Sequence, residues 1–202
     1  RVVFTSGGQN VVGVLHSGKR RATPADRVVI ACHGLMSSKD SEKYLQIAAQ
    51  FSTRGIPVLR FDFRGSGESE GSGNLLSNRI MDVNSAIRFS HDRGYESIGL
   101  LGSSYGGTTA ILVTSQNAKV RCLTTWSTPC ELAELFRAMT KPSEESHIVE
   151  TMKDDKRSFM QDLSKYNVAE AARKIRNTLV VHCKGDKIVP WSEARIIYDN
   201  AK

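Results

Sequence analysis

A chain of 202 residues is long enough for one domain with a sizeable core. Its 40% hydrophobic and 24% charged composition is that of a soluble globular protein, and no apolar run reaches the roughly 18 residues of a membrane helix. The net charge of +7 would suit an anionic partner, but the one tight basic cluster, "KRRATPADR", reads as a solvated loop with no nucleic-acid module beside it. The chain is therefore expected to engage neither nucleic acid nor membrane.

Taken in chain order, short apolar β-branched runs alternate with helical patterns. Val11–Leu15 comes first and reads as an edge hairpin with the next run, Arg27–Cys32. A helix follows at Glu42–Arg54, then a strand at Pro57–Phe61 and a second helix over Leu76–Arg93, where Ile80, Val83, Ile87 and Phe89 fall mostly on one face. Ile98–Leu101 is the next strand, Tyr105–Gln116 a helix, and Val120–Trp126 another strand. Residues 129–176 are charged and helical without a clear strand, which suggests a small helical cap inserted in a single domain spanning 1–202. Thr178–Cys183 and a helix at Glu193–Asn200, with Ser192 as its N-cap, complete the series. Continuous apolar strands separated by helices predict an open, mostly parallel, doubly wound α/β sheet. Cys32, Cys122, Cys130 and Cys183 lack CxxC spacing and are expected as buried free thiols, which points to a cytoplasmic protein. No signal-peptide pattern opens the chain.

The chemistry concentrates in "LLGSSYGGTTA", residues 100–110, between a predicted strand and a predicted helix. Reactive groups of open α/β sheets gather at the carboxyl ends of strands. The pattern G-x-S-x-G puts a serine on a very tight strand-to-helix turn, with glycines two before and two after because backbone closes in on both sides. That spacing selects Ser104, flanked by Gly102 and Gly106, over Ser103, flanked by Leu101 and Tyr105. Neither GK[ST] nor GxGxxG is present to support a phosphate loop instead.

Four motifs in order carry a resemblance to the α/β-hydrolase superfamily: "ACHGLMSSKDS" (31–41), "FDFRGSGESEG" (61–71), "GSSYGG" (102–107) and "HCKGDKIVPWSEA" (182–194). Within it the chain looks most like carboxylesterases and cinnamoyl- or feruloyl-esterase-like serine hydrolases with a small helical cap. The resemblance implies Ser104 as nucleophile and Asp186 as the acid that orients the catalytic histidine. It makes the backbone N–H of Leu35 one oxyanion donor, and that of Tyr105, following the nucleophile at a helix start, is the other. His33 and Gly34 would then brace the oxyanion loop, while Asp62, Arg64 and Gly65 form a turn with internal ion pairing and hydrogen bonds. Met36 is a candidate wall of the acyl pocket and Tyr105 of the substrate site. Asp186 has a plainer reading as a turn aspartate capping local N–H groups, and Glu131 is an outside alternative for the acid. The implied reaction, hydrolysis of a small-molecule ester through an acyl-enzyme, requires no cofactor and no metal. Assembly is left open, a homodimer being one option.

The triad order of this fold is Ser, then Asp or Glu, then His. His16, His33, His91, His147 and His182 all precede Asp186, and only His147, in the expected cap, is placed to reach over. The family pattern also continues with another strand, which is missing here. The favoured reading puts the histidine beyond Lys202. The alternatives are an acyl-peptide or amide hydrolase using the same machinery, and a non-catalytic ligand-binding member of the fold.

Overall fold

The computed structural model describes residues 1–17, 26–139 and 156–202. The chain opens with an antiparallel hairpin of β1 (Val2–Ser6) and β2 (Gln9–His16). Its two-residue turn puts Gly7 and Gly8 at φ of 54° and 80°, the positive-φ pair that such hairpins demand. This differs from the expected pairing of Val11–Leu15 with Arg27–Cys32. The other edge of β2 lies antiparallel on β4 (Val58–Phe61), and β3 (Arg27–Cys32) is one place further in. Both edges of β3 are taken by parallel neighbours, as its unbroken apolar sequence requires of a strand buried on two faces.

From β3 onward strands and helices alternate: α1 (Glu42–Thr53), β4, α2 (Leu76–His91), β5 (Ser97–Ser103), α3 (Tyr105–Thr114) and β6 (Val120–Trp126). Among the described residues α4 (Leu132–Met139), α5 (Lys156–Leu163) and α6 (Val168–Ala172) come next, then β7 (Thr178–Val181) and α7 (Trp191–Asn200). The seven strands lie in the order β1-β2-β4-β3-β5-β6-β7, with β4, β3, β5, β6 and β7 parallel. The doubly wound prediction is met.

The larger core fills the face carrying α2 and α3, where Ile30, Phe61, Val83, Ile87, Ile98 and Ile111 are almost wholly buried. On the opposite face Tyr44 of α1 packs against Ala31 and Leu101. The carboxyl ends of the parallel strands lie along one rim, where the motif loops emerge after β3, β4, β5 and β7.

The segment 129–176 holds α4, α5 and α6 among its described residues; 140–155, with His147, lies outside them. So does most of the basic cluster, at residues 18–25. All four described cysteines are free, but only Cys32 and Cys130 are buried; Cys122 and Cys183 are exposed, contrary to expectation. Cys122 stands on a strand next to the sheet's last one, where one face is left open. Ser192 lies inside α7, which starts after Pro190, a residue preset for that entry. Among the described residues no helix is long and apolar enough to cross a membrane.

Candidate active site

β5 ends at Ser103 and α3 begins at Tyr105, leaving Ser104 as the entire turn. Its φ of 51° and ψ of −127° lie where a side chain is strained and glycine is at ease. Three backbone bonds hold it there: Ser104 N–H donates to Trp126 O (2.8 Å), and its carbonyl accepts from Gly107 and Thr108. The flanking glycines are steric necessities. A Cβ on Gly102 would stand 2.5 Å from the Gly106 oxygen and Gly107 Cα, and one on Gly106 would collide with the Cys32 and His33 carbonyls. Ser103 is 4% exposed, and its hydroxyl accepts from Lys43 Nζ of α1 at 2.7 Å. The elbow therefore presents Ser104 and withdraws Ser103.

The loop after β3 lies directly against this elbow. A Cβ on Gly34 would sit 3.2 Å from Ser103 O and 3.3 Å from Ser104 Cβ, so any side chain there would press the loop away from the elbow by a few tenths of an ångström. His33 is buried at 1% exposure, and its ring works inside the loop. Nδ1 donates to Gly34 O (2.7 Å), and Nε2 accepts from the Phe63 N–H (3.1 Å), which together assign the tautomer. Burial, followed by the Arg79 charge, pushes its pKa down to about 3. The imidazole is thus neutral and fully used. Among the described residues no hydrogen bond is made to the Leu35 N–H.

The turn after β4 has the expected internal hydrogen bonds, such as Ser69 Oγ to Asp62 O (2.7 Å), but its ion pairs run outward, which corrects that part of the expectation. Asp62 accepts from Lys39 N (2.7 Å), Lys39 Nζ (2.9 Å) and Glu68 N (3.1 Å), while Arg64 forks onto Asp82 of α2 at 2.6 and 2.9 Å. Lys39 also meets Asp40 and Glu68, so the turn after β4 and the loop after β3 share one ionic knot. A second tether was not anticipated. Arg79 of α2, 1% exposed, donates through Nη2 to the His33 carbonyl, with its Cζ 3.6 Å from the Phe63 ring centroid and 4.7 Å from that of Tyr105.

Asp186 stands on the loop after β7. Its Oδ1 accepts from the Ile188 and Val189 N–H groups at 2.9 and 3.0 Å, and Oδ2 lies 3.8 Å from His182 Nε2. Burial works to raise its pKa, but the Val189 and Ile188 amides and the Ser127 hydroxyl hold it below the ordinary carboxylate value. These contacts are those of the turn-capping role; they also anchor the loop whose Ile188 and Val189 reach the cavity at Ser104. Glu131 opens on a neighbouring cavity instead. The remaining described histidines are engaged elsewhere: His182 Nε2 with Val189 O (2.8 Å), His16 with Arg60 and His91 with Glu96.

Ser104 opens into a cavity of about 190 Å³. Leu35, Met36 and Tyr105 form one side, Pro129, Leu132, Leu135, Phe136 and Phe159 another, and Ile188 and Val189 the third. Charged side chains are absent from this described lining. The structure thus brings Leu35, Ser104 and Tyr105 to one space. Phe136 and Phe159, whose rings meet at 4.8 Å, come from a segment that carries no motif.

Residues 23–145 match the family described as serine aminopeptidase, S33. Among curated proteins, the uncharacterized 31.7 kDa protein of the traX-finO intergenic region of Escherichia coli is 30% identical over 101 residues, 48% of this chain and 35% of that protein. The uncharacterized protein YfhR of Escherichia coli O157:H7 is 24% identical over 187 residues, 89% of this chain and 60% of that protein. The chain thus spans less than two thirds of the length of either. Among solved structures, Est1E from Butyrivibrio proteoclasticus with ferulic acid bound superposes at a TM-score of 0.86 with 16% identity, covering 100% of this chain and 86% of that one. The Pyrococcus furiosus esterase Pf2001 gives 0.76 and 24%, covering 98% and 76%. The esterase domain of a Rhodothermus marinus protein gives 0.73 and 25%, covering 100% and 82%. The fold is that of the α/β hydrolases.

Proposed function

We propose that this chain, which belongs to the serine aminopeptidase family of α/β hydrolases, cleaves small carboxylic esters with Ser104 as its nucleophile. The observation that carries this reading is Ser104 itself, held at φ 51° on an elbow that faces an apolar cavity of about 190 Å³. Ser104 Oγ attacks the ester carbonyl and gives up its proton to a base; the carbonyl oxygen becomes an oxyanion. Leu35 and Tyr105 N–H groups receive that charge, a contribution worth about 100–1,000-fold in turnover per donor. Collapse expels the alcohol, which takes the proton from the base, and water then releases the acid by the same steps in reverse.

The base is proposed to be a histidine placed after the acid in the full-length protein, the triad order of this fold; among the described histidines, His16, His33, His91 and His182 hold other partners. Asp186 is proposed as its orienting partner, holding one oxygen on the Ile188 and Val189 amides and offering the other. The family description names an aminopeptidase, whose substrate carries an α-ammonium group. Such a group needs a carboxylate, and the described lining has none, which favours a neutral apolar acyl group. A pocket below the ~300 Å³ of drug-sized sites suits a short acyl chain.

Turnover of p-nitrophenyl butyrate against alanyl p-nitroanilide by the full-length protein tests this. We expect the ester to be preferred and Ser104→Ala to remove at least about 1,000-fold of its turnover. An undiminished Ser104→Ala rate would overturn the assignment, and preference for the anilide would replace ester by amide hydrolysis.

A further inference from the structure

Arg79 breaks the rule that governs the other buried charges. Lys39 meets Asp40, Asp62 and Glu68; Arg60 meets Asp40; Arg64 meets Asp82; and Asp162 meets Lys165. Glu193 receives the Cys130 and Glu131 N–H groups. Arg79 is among the largest fully buried side chains, yet among the described residues no carboxylate lies within 4.0 Å of it. Its Nε and Nη1 are buried without a partner, and only Nη2 has one, the His33 carbonyl. A cation left without a counter-charge in the interior is unfavourable, and an apolar side chain of similar volume would serve packing better. Burial lowers its pKa to about 10, which still leaves it charged near neutrality. Stability therefore gives no full account of it, since one carbonyl, the Phe63 and Tyr105 ring faces and the more distant Asp82 charge are what offset its burial.

Position does. The His33 carbonyl is wedged between Arg79 and the first turn of α3, where a Cβ on Gly106 would strike it. Leu35 follows two residues later, so its N–H lies within about 7 Å of that carbonyl even along an extended chain. On the other side the guanidinium lies 4.7 Å from the ring of Tyr105, whose hydroxyl is tied to Asn74 O at 2.7 Å. Asn74 just precedes α2, and Arg79 occupies its first turns. One helix end thus grips both loops that carry the proposed oxyanion donors.

We infer that Arg79 is a positioning residue for the oxyanion site, fixing the Leu35 loop against the Tyr105 turn and adding a positive charge, held by no contacting carboxylate among the described residues, behind the place where the oxyanion forms. Resting on the Ser104 reading above, it assigns to α2 a part in the reaction that the four sequence motifs do not contain. The charge acts in a dry interior, where its pull on a developing anion is stronger than in water.

The test uses the full-length protein with Arg79→Met, which keeps length and loses charge, and Arg79→Lys, which keeps charge and loses the planar fork. With p-nitrophenyl butyrate, Arg79→Met is expected to lower kcat by about 10–100-fold at a KM within about twofold, with Arg79→Lys recovering at least about threefold of the loss. Unfolding midpoints should be unchanged or higher in Arg79→Met, so that stability and turnover part company. A folded Arg79→Met with kcat within about threefold of wild type, or a lysine variant no better than methionine, would overturn the inference. Should Arg79→Met not fold, Arg79→Lys decides alone: a lower kcat at constant KM supports the role, and wild-type kcat defeats it. If the wild-type protein cleaves no ester, the proposed function fails, and hydrogen exchange then decides Arg79 separately. Faster exchange in either variant confined to residues 33–36 and 104–107 supports the tether; unchanged exchange there rejects it.

Discussion

Ser104 holds a side chain in a backbone conformation suited to glycine, φ 51° and ψ −127°, at a cost of about 1–3 kcal/mol. That strain is testable without any substrate. Ser104→Gly should be more stable than Ser104→Ala by about 1 kcal/mol in denaturant titrations, the reverse of the usual order of alanine over glycine. Equal stabilities would mean that the elbow is not strained. His33 gives a second signature. Burial pushes its pKa down to about 3, whereas the unfolded chain titrates near 6.5. The unfolded state therefore binds one more proton between those values, so the stability from a neutral His33 is complete above pH ~6.5 and is lost as pH falls toward ~3. At pH 5 wild type should have lost about 2 kcal/mol more than His33→Gln relative to pH 7.5; parallel pH profiles would show that the ring is not held neutral. That Ser104 rather than Ser103 occupies the turn was legible because glycine spacing reports a steric requirement, and Gly102 and Gly106 do pack against backbone. Arg79 left a signal that could have been read: it shares the apolar face of α2 with Val83, Ala86 and Ile87, a charge where a helix buries its side chains.

Among the elements, β3 and β5 were recognisable as apolar runs and β6 by its β-branched and apolar residues, α1 and α2 by period and length, and α3 as the apolar stretch after the glycine-rich turn. The first hairpin was not. β1 is a five-residue edge strand with alternate residues exposed, and β2 finds its inner partner in β4, more than forty residues away in sequence. Such pairing is decided by the ladder rather than by local pattern. The α4–α5 pair shows the same limit, since helical periodicity marks the apolar faces of Phe136 and Phe159 but not what they cover. What they cover is the cavity at Ser104, with Leu135 half-buried in its wall. Filling that wall by Leu135→Trp should lower kcat/KM for p-nitrophenyl hexanoate by at least about tenfold while changing the acetate within about threefold. A uniform loss across chain lengths would place the acyl group elsewhere.

For the whole molecule, the parallel sheet brings four sequence-distant loops to one rim, and this is why motifs scattered from residue 31 to residue 194 could be read as one chemistry. Backbone-determined features came through: the elbow and the close glycine approaches around it, with Leu35 and Tyr105 beside the same cavity. What was not legible depends on side chains meeting across the fold, namely the outward pairing of Asp62 and Arg64, the Arg79 tether, and the aromatic wall. The Asp186 loop stands between the two, since its aspartate was found from a motif while its hold on Ile188 and Val189 is a three-dimensional fact. All of this converges on one hydroxyl. Incubating the folded full-length protein with a fluorophosphonate and sequencing the adduct by mass spectrometry tests that convergence most directly. The account predicts a single covalent adduct on Ser104, lost in Ser104→Ala and retained in Ser103→Ala; a native protein left unlabelled, or labelled at Ser103 or elsewhere, would contradict it.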